Sequence, residues 1–580
     1  MPPLGYFTFI LHCHMPWVLH HGRWPHGTDW LCESIAETYL PLLNLCESLV
    51  SRGIPPKFTI DISPILAEQL SHPDLMTEFK AYLDQKIEAA RFDMSEYDYW
   101  DAGHMKYLAE RWMGIYSGLR DDFLRRDGNI LAGFRALEEQ NAIELITCGA
   151  THGYLPLLGR DWSCRLQLKL AQMNHERHFG KRAKGIWLPE MAYRGSGAWS
   201  YPDGLVEPGV SFNRTSMEKM LIEEGLSFFP IGFSHFGNAM AHLPLSAKTA
   251  EITHGEPIKA DKNALKYVAC EPFVVGESAD LEKHVIALIR NPETALWVGL
   301  QFHPGEKGYP ARPPYLDFHK RHFPGGLRYW NVTNLATPIE YKNPYVPELA
   351  LQQVNRDADD FEYRVRHVLE GYRGMANKEG LLAAPFDGEL FGHWWYEGVD
   401  WLGAVIERLH KMEVVRLATV SEYLADHEVQ AYYDLPEGSW GEGGRHEVWF
   451  NSETKWTWKI LWEQESRFEA ILHEMKSCNW RPGDDIGNSV VLQAARELLL
   501  AQASDWQFLI SGGDARDYAE RRFNEHTQAL EKALGMCRQI MTGTNLTSEE
   551  INELNQMTRL DCPFPTLDLN MLLNMLDAQS

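Results

Sequence analysis

The sequence predicts an α/β fold built on a parallel sheet, either a barrel or an open sheet. Short apolar runs of strand length alternate with helix-sized spacers about seven times, and this alternation is typical of parallel α/β folds. Polar side chains lie at the C-terminal ends of several runs, which is where parallel α/β folds place their catalytic and binding residues. With 580 residues, 44% of them hydrophobic, the chain can bury a large core and exceeds the usual size of one domain.

The predicted strands are apolar runs bounded by turn residues or polar clusters. They span residues 6–11, 57–62, 142–148, 184–188, 228–232, 267–269, 295–302 and 381–386. Apolar residues recur with helical spacing at 30–51, 78–92 and 105–126, and beyond residue 425 near 456–475, 490–503 and 515–537. We therefore expect a barrel domain at 1–425 with a mainly helical insertion around 64–141, a helical C-terminal domain at 426–540, and an appended tail at 541–580.

Charge and cysteine usage narrow the class of protein. Because 80 acidic residues outnumber 55 basic ones, the net charge is −25, which repels nucleic acid and anionic membrane surfaces. Nine scattered cysteines without a repeated spacing favour reduced thiols over a disulfide framework. The N-terminus lacks the pattern of a signal peptide, and no segment approaches the apolar length of a membrane helix. We expect a cytoplasmic protein without nucleic-acid or membrane partners; its oligomeric state is left open.

Two carboxylates follow apolar runs and are surrounded by aromatic residues. Glu190 follows Trp187-Leu188-Pro189, where the proline fixes the turn, and Asp387 precedes Gly388, which permits an unusual backbone angle. One carboxylate to attack and another to transfer a proton, both beside flat rings, suit the cleavage of a glycosidic bond. The alternatives are a solvated surface glutamate and a loop capped by an Asx turn. Four aromatic residues soon after Asp387 weigh against the loop, although part of that stretch is expected to be core.

The pair His12 and His14 places two imidazoles on one side of an extended chain. With Asp61 or His152 they could complete a metal cluster. The alternative is a set of hydrogen-bonding histidines that line a polar cleft. Since no other metal-ligand motif is present, we predict no metal and no cofactor.

The sequence contains 20 tryptophans, and an indole suits the apolar face of a sugar ring. Trp440 and Trp449 lie in and just after the glycine-rich segment at 435–444. For Trp440 we predict sugar contact, because glycines on both sides disfavour a core strand. For Trp449, sugar contact and a buried anchor between domains are equally open.

Five short segments, taken in order, resemble the motifs of glycoside hydrolase family 57. They are His12-Cys13-His14-Met15-Pro16, residues 149–154, residues 187–193, residues 386–395 and residues 418–423. Residues 438–451 and 503–509 also look like the C-terminal helical domain of the family's α-1,4-glucan branching enzymes. The resemblance covers roughly residues 5–535.

The resemblance implies an incomplete seven-stranded (β/α) barrel with a helical insertion and a helical C-terminal domain. It implies that Glu190 is the nucleophile and Asp387 the general acid/base of a retaining enzyme that branches α-1,4-glucan, such as amylose, glycogen or starch-like chains. Together with the strand-end residues, it predicts a set of substrate-binding residues: His12, His14, Trp30, His152, Trp187, Arg290, Trp297, Gly308, His393, Trp440, Trp449 and Asp505.

Departures from the family pattern leave the outcome of the reaction open. Met191 replaces the usual cysteine, residues 301–311 keep only part of a typical segment, and residues 213–216 replace a usual Arg-Pro-Gly. The shielding tyrosine loop of true branching enzymes has no evident counterpart. Hydrolysis or 4-α-glucan transfer by the same residues, a catalytically weak glucan-binding protein, and metal-dependent hydrolysis or deacetylation at His12, His14 and Asp61 remain as alternatives.

Overall fold

The computed structural model describes residues 3–235, 266–276, 283–299, 308–334, 336–483 and 485–576. Its strands are β1 (Gly5–Cys13), β2 (Thr59–Ile62), β3 (Glu144–Cys148), β4 (Ile186–Trp187), β5 (Gly197–Trp199), β6 (Phe212–Arg214), β7 (Phe228–Ile231), β8 (Phe273–Val275), β9 (Ile286–Ile289), β10 (Gly380–Asp387), β11 (Val415–Leu417) and β12 (Ala431–Tyr433).

Helices surround these strands and make up the C-terminal part of the chain. They are α1 (Thr28–Ser34), α2 (Leu40–Ser51), α3 (Pro64–Leu70), α4 (Leu75–Tyr99), α5 (Gly103–Arg125), α6 (Ile130–Glu139), α7 (Asp161–Phe179), α8 (Met217–Glu223), α9 (Pro292–Gly299), α10 (Pro347–Ala376), α11 (Gly398–Lys411), α12 (Val420–Asp426), α13 (Lys455–Ser477), α14 (Asp485–Ala501), α15 (Asp505–Gly512), α16 (Arg516–Met541), α17 (Ser548–Leu560) and α18 (Leu569–Met575).

Seven parallel strands form an incomplete barrel. Five of them lie in the order β10-β1-β2-β3-β4, and a parallel bridge between Gly185 and Phe228 leads from the start of β4 to β7. The seventh, β9, pairs in parallel with β7. Among the described residues no pairing joins β9 to β10, so the barrel stays open between its first and last strands. The fold predicted for the barrel is confirmed.

Strand β1 lies between β10 and β2 in the barrel wall and is buried on both faces, as is typical of a parallel strand. On its outer face Phe9 stacks on Phe361 of α10 with ring centroids 5.7 Å apart and meets the edge of Trp401 of α11 at 5.9 Å. On its inner face Ile10 belongs to the cluster that fills the barrel, together with Ile146 of β3. The alternation of side chains along β1 therefore packs a layer of helices against one face and the barrel interior against the other.

The strand register aligns polar residues at one edge of the barrel. His12 of β1 lies opposite Asp387 of β10 on one side and opposite Asp61 of β2 on the other. Since the strands are parallel, the segments that follow β3 and β4 emerge at this same edge. The sequence predicts the catalytic and substrate-binding residues at this edge.

Two predicted strands are wrong. Residues 266–268 form a helical turn, and the strand lies later, at Phe273–Val275. Most of the run predicted as a strand at 295–302 is helix α9, its last three residues lie outside the described ranges, and the strand Ile286–Ile289 comes before it. A short apolar run does not distinguish a strand from a buried helix. The decisive signals were Asn291, whose side chain accepts from the backbone N–H of Glu293 at 2.9 Å, and the proline that begins the helix.

Predicted helices are found in two further regions. Helices α3 to α6 occupy the region between β2 and β3, and α13, α14 and α16 match the helices predicted near 456–475, 490–503 and 515–537. All nine cysteines are free. None of the helices in the described ranges is long and apolar enough to cross a membrane. The segment after α16 folds back on the barrel, where the carbonyl of Leu560 accepts a hydrogen bond from the indole N–H of Trp17 at 2.9 Å.

Candidate active site

Glu190 is held in an uncommon backbone conformation directly after β4. Its φ of 58° and ψ of 23° lie in the left-handed region, and Met191 follows with a φ of 47°. Residues other than glycine are rarely found there, and such strain clusters at functional sites. The turn is fixed by a hydrogen bond from the N–H of Met191 to the carbonyl of Leu188 at 2.7 Å, and by one from the N–H of Trp440 to the carbonyl of Glu190 at 3.2 Å.

Both carboxylate oxygens of Glu190 accept hydrogen bonds. The hydroxyl of Ser504 donates to Oε1 at 2.7 Å, and the indole N–H of Trp440 donates to Oε2 at 3.0 Å. The pKa of Glu190 is raised to about 7, mainly by burial and also by the charges of Asp505 and Asp387, whereas the two donors favour the ionised form and lower it. Because an indole N–H can only donate, these hydrogen bonds favour the ionised carboxylate of Glu190 over its protonated form.

Asp387 ends β10 and is exposed at the edge of the barrel where the strands end. The seven preceding residues of the strand are buried, whereas Asp387 is exposed. The surrounding protein still removes much of its hydration, so that burial raises its pKa to about 6, opposed by the positive charges of Arg290 and His14. Asp387 receives no hydrogen bond from any side chain in the part of the chain that the structure describes. Glu190 and Asp387 are thus held in unlike environments, and the charge of Asp387 acts on Glu190.

Three histidines stack at the barrel edge. The ring centroids of His14 and His152 lie 4.0 Å apart, and those of His12 and His152 lie 5.0 Å apart. His14 Nε2 lies 3.1 Å from each carboxylate oxygen of Asp505, and its Nδ1 lies 2.9 Å from Oγ of Ser63. Burial alone would lower the pKa of His14, but the carboxylate of Asp505 raises it above the ordinary value.

The other two imidazoles connect the barrel interior to Glu190. His12 Nδ1 is hydrogen-bonded to Asp61 Oδ2, and its Nε2 lies 3.0 Å from His152 Nε2. His152 Nδ1 lies 2.9 Å from Oγ of Ser504, the residue that donates to Glu190. Burial, with the neighbouring charge of His14, holds the pKa of His12 and of His152 well below the ordinary value.

Aromatic rings form one wall of the site. Trp187 stacks on His12 with ring centroids 4.7 Å apart and planes 3° apart, and it meets the edge of Trp440 at 5.4 Å. The guanidinium of Arg290 lies 5.5 Å from the ring centre of Trp440 and 5.2 Å from that of Phe386. Trp187 is fully buried and supports the wall, whereas Trp440 is partly exposed and offers a ring face to a ligand.

We assign no metal ligand in this site. Two groups come close enough to share an ion: His12, His152 and Cys148, and His14, His152 and Asp505. However, all four ring nitrogens of His12 and His152 already face hydrogen-bond partners. Burial also raises the pKa of Cys148 well above its ordinary value, which disfavours the thiolate that a metal would require.

The comparison with known proteins decides the family. The family model described as glycosyl hydrolase family 57 matches residues 8–236. The 1,4-alpha-glucan branching enzyme of Thermococcus kodakarensis is 35% identical over 561 residues, which is 97% of this chain and 77% of that enzyme. The chain belongs to glycosyl hydrolase family 57. A second model, described as the C-terminal domain of 1,4-alpha-glucan branching enzymes, matches residues 466–571 of this family 57 chain.

Solved structures of family 57 branching enzymes have the same architecture. The enzyme of Pyrococcus horikoshii is 33% identical with a TM-score of 0.84, covering 98% of this chain and 97% of that one. That of Thermococcus kodakaraensis, solved with glucose, is 34% identical with the same TM-score and covers 98% and 96%. An α-amylase of Thermotoga maritima, at 24% identity and a TM-score of 0.76 over 98% and 99% of the two chains, shares the fold.

The structure of this family 57 chain brings together most of the predicted site residues. Contacts described above connect Glu190, Asp387, His12, His14, His152, Trp187, Arg290, Trp440 and Asp505. Trp30 lies on α1, half-buried and 5.8 Å from the ring of His26. No contact between described residues joins Trp30 to either carboxylate.

Two predicted binding residues are buried elsewhere. Trp449 is 1% exposed and stacks on Tyr154 at 4.7 Å, so of its two interpretations the buried anchor is correct. His393 is 3% exposed and bonded to Glu37 at 2.9 Å, within a buried ion pair between Glu37 and Arg328. Neither side chain is exposed to a ligand in this structure, which therefore gives no support to sugar contact by Trp449 or His393.

Two further predicted residues lie in the helical layer outside the barrel. The ring of Trp297 on α9 carries the guanidinium of Arg364 from α10 at 4.0 Å. Gly308 is buried and precedes Tyr309, whose hydroxyl donates to Asp360 of the same helix at 2.6 Å. No contact between described residues joins either of them to Glu190 or Asp387, and sugar binding by Trp297 and Gly308 stays a prediction.

Sequence reasoning missed several residues of the site. Ser504 bonds to Glu190, and Ser63 bonds to His14. Glu389 accepts hydrogen bonds from the backbone N–H of His14 at 2.9 Å and from the hydroxyl of Tyr39 at 2.6 Å. Ser63 directly follows a strand and Glu389 lies in the same motif as Asp387, so the strand-end rule could have found both. For Ser504 the only available signal was its position before Asp505.

Proposed function

We propose that this family 57 chain is a retaining 1,4-α-glucan branching enzyme. It cleaves an α-1,4 bond of a linear glucan and transfers the released chain to a 6-hydroxyl, which makes an α-1,6 branch. Two observations support the reaction: the branching enzymes among its relatives, and the match of residues 466–571 to a branching-enzyme C-terminal domain. The observation that supports the residues best is the pair of unlike carboxyls at the ends of β4 and β10.

Glu190 serves as the nucleophile. Its two oxygens accept from Ser504 and Trp440, which favours the ionised form that attacks carbon 1 of the sugar. Asp387 serves as the general acid, because it is exposed at the end of β10 and burial raises its pKa to about 6. Since the pKa of Glu190 is about 7, the form with Glu190 ionised and Asp387 protonated coexists with the other forms between pH 6 and 7, and it is the form that reacts. It gives its proton to the leaving oxygen while Glu190 forms a glycosyl ester.

In the second half of the reaction Asp387 is the base. It takes the proton of an incoming 6-hydroxyl, which attacks carbon 1 and releases Glu190 as a carboxylate. Two inversions at one carbon give net retention, and retaining enzymes hold the two carboxyl groups about 5–5.5 Å apart. Branching requires the ester to wait for a sugar hydroxyl while water is kept away.

We propose Trp440 and Arg290 as the side chains nearest to the sugar rings. The partly exposed indole of Trp440 offers an apolar face, while Arg290 packs on that indole and on Phe386 and sets the charge beside Asp387. His14 and Asp505, held together as an ion pair, present polar groups to the sugar hydroxyls.

The division of the chain follows the same assignment. We propose residues 1–425 as the catalytic barrel, residues 426–540 as a helical domain that contributes Trp440, Ser504 and Asp505 to the cleft, and residues 541–580 as an appended tail. A cytoplasmic location stays a prediction.

The test is incubation of amylose with the pure protein, followed by linkage analysis. Branching predicts α-1,6 linkages that a debranching enzyme releases, with few new reducing ends. Hydrolysis would give reducing ends, and 4-α-glucan transfer would give altered linear chain lengths; either result contradicts the proposal.

Variants assign the reaction to its residues. We expect Glu190→Gln and Asp387→Asn each to abolish branching. The matched control is Glu447→Gln, which changes an exposed glutamate in the segment that also contains Trp440. Full activity in both carboxyl variants would mean that other groups carry the reaction.

A further inference from the structure

A chain of four hydrogen bonds runs from the barrel interior to Glu190. It starts at Asp61, passes through His12 and His152 at a nitrogen–nitrogen distance of 3.0 Å, and reaches Ser504 at 2.9 Å. Ser504 then donates to Glu190 at 2.7 Å. Each member has one proton to give along this chain, so the direction of one bond fixes the direction of the others.

The direction follows from Glu190, whose role as an ionised nucleophile is taken from the proposed function. A carboxylate only accepts, so the hydroxyl hydrogen of Ser504 points to Glu190, and Ser504 Oγ must accept from Nδ1–H of His152. A neutral imidazole carries one N–H, which leaves a lone pair on Nε2 of His152.

The next bond repeats this reasoning. Since His152 Nε2 has a lone pair, the facing Nε2 of His12 must carry the hydrogen, or two lone pairs would meet at 3.0 Å. Nδ1 of His12 is then an acceptor, and its partner Asp61 has to be the donor. Only the protonated carboxyl of Asp61 can donate.

The surroundings favour neutral imidazoles. The rings of both His12 and His152 stack with that of His14, at 5.6 and 4.0 Å, and His14 pairs with the carboxylate of Asp505. A second positive charge beside His14 would be repelled. Burial and the charge of His14 lower the pKa of His12 and of His152 accordingly.

Asp61 sits where a carboxyl is expected to be neutral. It is fully buried, and its Oδ1 has no hydrogen-bond partner among the described residues. An ionised carboxylate with one unpaired oxygen in the interior is far costlier than a neutral acid. Burial is also the main cause that raises the pKa of Asp61, and the nearby Glu389 adds to it.

We propose that Asp61 is held as a neutral carboxylic acid, and that Asp61, His12, His152 and Ser504 form a one-directional hydrogen-bond chain that keeps Glu190 ionised. These four are positioning residues, since they act on the substrate only through Glu190. Reversing the chain would shift four protons by one bond each and move one proton from Asp61 to Glu190. In that state the buried Asp61 would be ionised, and its Oδ1 would have no hydrogen-bond partner among the described residues. Because this is unfavourable, the chain opposes protonation of Glu190.

A neutron structure of the full chain, or nitrogen-15 NMR of its labelled histidines, reads the direction without any turnover when it is recorded above about pH 8, where Glu190, with a pKa of about 7, is ionised. We expect hydrogen on Nε2 of His12, on Nδ1 of His152 and on the carboxyl of Asp61. Hydrogen on Nδ1 of His12, or a stoichiometric metal ion between His12 and His152, would overturn the proposal.

Substitutions at Asp61 test where the chain begins. In Asp61→Asn the amide N–H replaces the carboxyl O–H as donor, so we expect His12 to keep its hydrogen on Nε2. Asp61→Leu can neither donate nor accept, while Glu190 still orders the other end of the chain, so we expect hydrogen to remain on Nε2 of His12 there as well. Hydrogen on Nδ1 of His12 in the asparagine variant, where the amide oxygen would accept it, or in the leucine variant would mean that the chain does not run from a donor at position 61 to Glu190.

Substitutions at Ser504 test where the chain ends. Loss of one hydrogen bond to a carboxylate in Ser504→Ala raises the pKa of Glu190 by about one to two units. We expect kcat/KM to fall about tenfold or more on the acid side of its pH profile and to match wild type on the alkaline side, with Ser504→Thr restoring the profile. A uniform loss at all pH values, or no loss, would overturn the proposal.

These readouts separate this inference from the proposed function. The positions of the histidine hydrogens are measured in the resting protein, so they stand even if amylose proves to be hydrolysed instead of branched. Conversely, a branching enzyme with the opposite histidine forms would retain the proposed function and lose only this inference.

Discussion

Replacing Trp440 with phenylalanine removes one donor from Glu190 and keeps an aromatic ring in place. In the native protein the indole N–H lies 3.0 Å from Oε2 of Glu190, and the ring supports Arg290 and meets Trp187. A hydrogen bond to a charged group is worth about 1.5–3 kcal/mol. Since about 1.4 kcal/mol corresponds to one pKa unit, the pKa of Glu190, about 7 in the native protein, should rise by about one to two units.

The consequence for rate depends on pH. Below both apparent pKa values of the carboxyl pair, kcat/KM is proportional to the ionised fraction of Glu190, so it should fall about ten- to a hundredfold. Above both values Glu190 is ionised in the variant and in wild type alike, so the two profiles should converge. The assay is the pH dependence of kcat/KM on amylose, followed through the branches that a debranching enzyme releases.

Trp449 provides the matched control. It is a tryptophan of the same segment, and its indole nitrogen is buried without a hydrogen-bond partner among the described residues. Trp449→Phe should leave the shape of the pH profile as in wild type. A Trp440→Phe profile parallel to wild type at every pH, or an equal change in Trp449→Phe, would refute the reasoning.

Three further results are expected. The pH profile of kcat/KM in wild type should be bell-shaped with apparent pKa values near 6 and 7, which belong to the carboxyl pair, and a flat profile between pH 5 and 8 would contradict this. Arg290→Met removes a positive charge that lowers the pKa of Asp387, so Asp387 stays protonated to higher pH and the ratio of alkaline-side to acid-side kcat/KM should rise; an unchanged or falling ratio counts against it. Phe9→Ala deletes a fully buried ring stacked on Phe361 and should cost about 3–5 kcal/mol, seen as a lower midpoint in guanidinium unfolding; an unchanged midpoint would mean that this packing is not limiting.

The strand-end residues could be predicted because parallel strands bring their carboxyl ends to one edge. His12, Glu190 and Asp387 each end or follow a short apolar run, and the structure brings them to the same edge of the barrel. A short apolar run alone did not tell a strand from a buried helix. At residues 295–299 the cap at Asn291 and the helix-starting proline outweighed the apolar pattern.

Residues whose place depends on tertiary packing were beyond the sequence pattern. Trp449 and Trp440 lie nine residues apart in one segment, yet one is 1% exposed against Tyr154 and the other is partly exposed beside Glu190. Which of them faces the cleft is set by the turn that binds the backbone of Trp440 to Glu190. Ser504 comes from a helical region 314 residues away from Glu190, and no local pattern encodes that contact.

The most direct test of the account is to trap the covalent intermediate. In Asp387→Asn, an α-glycosyl fluoride needs no acid to leave, so attack proceeds while the second step lacks its base. The account predicts a glycosyl ester that accumulates on the peptide containing Glu190 and is detected by mass spectrometry. An adduct on another residue, or the release of a β-configured sugar without any adduct, would contradict Glu190 as the nucleophile of a retaining enzyme.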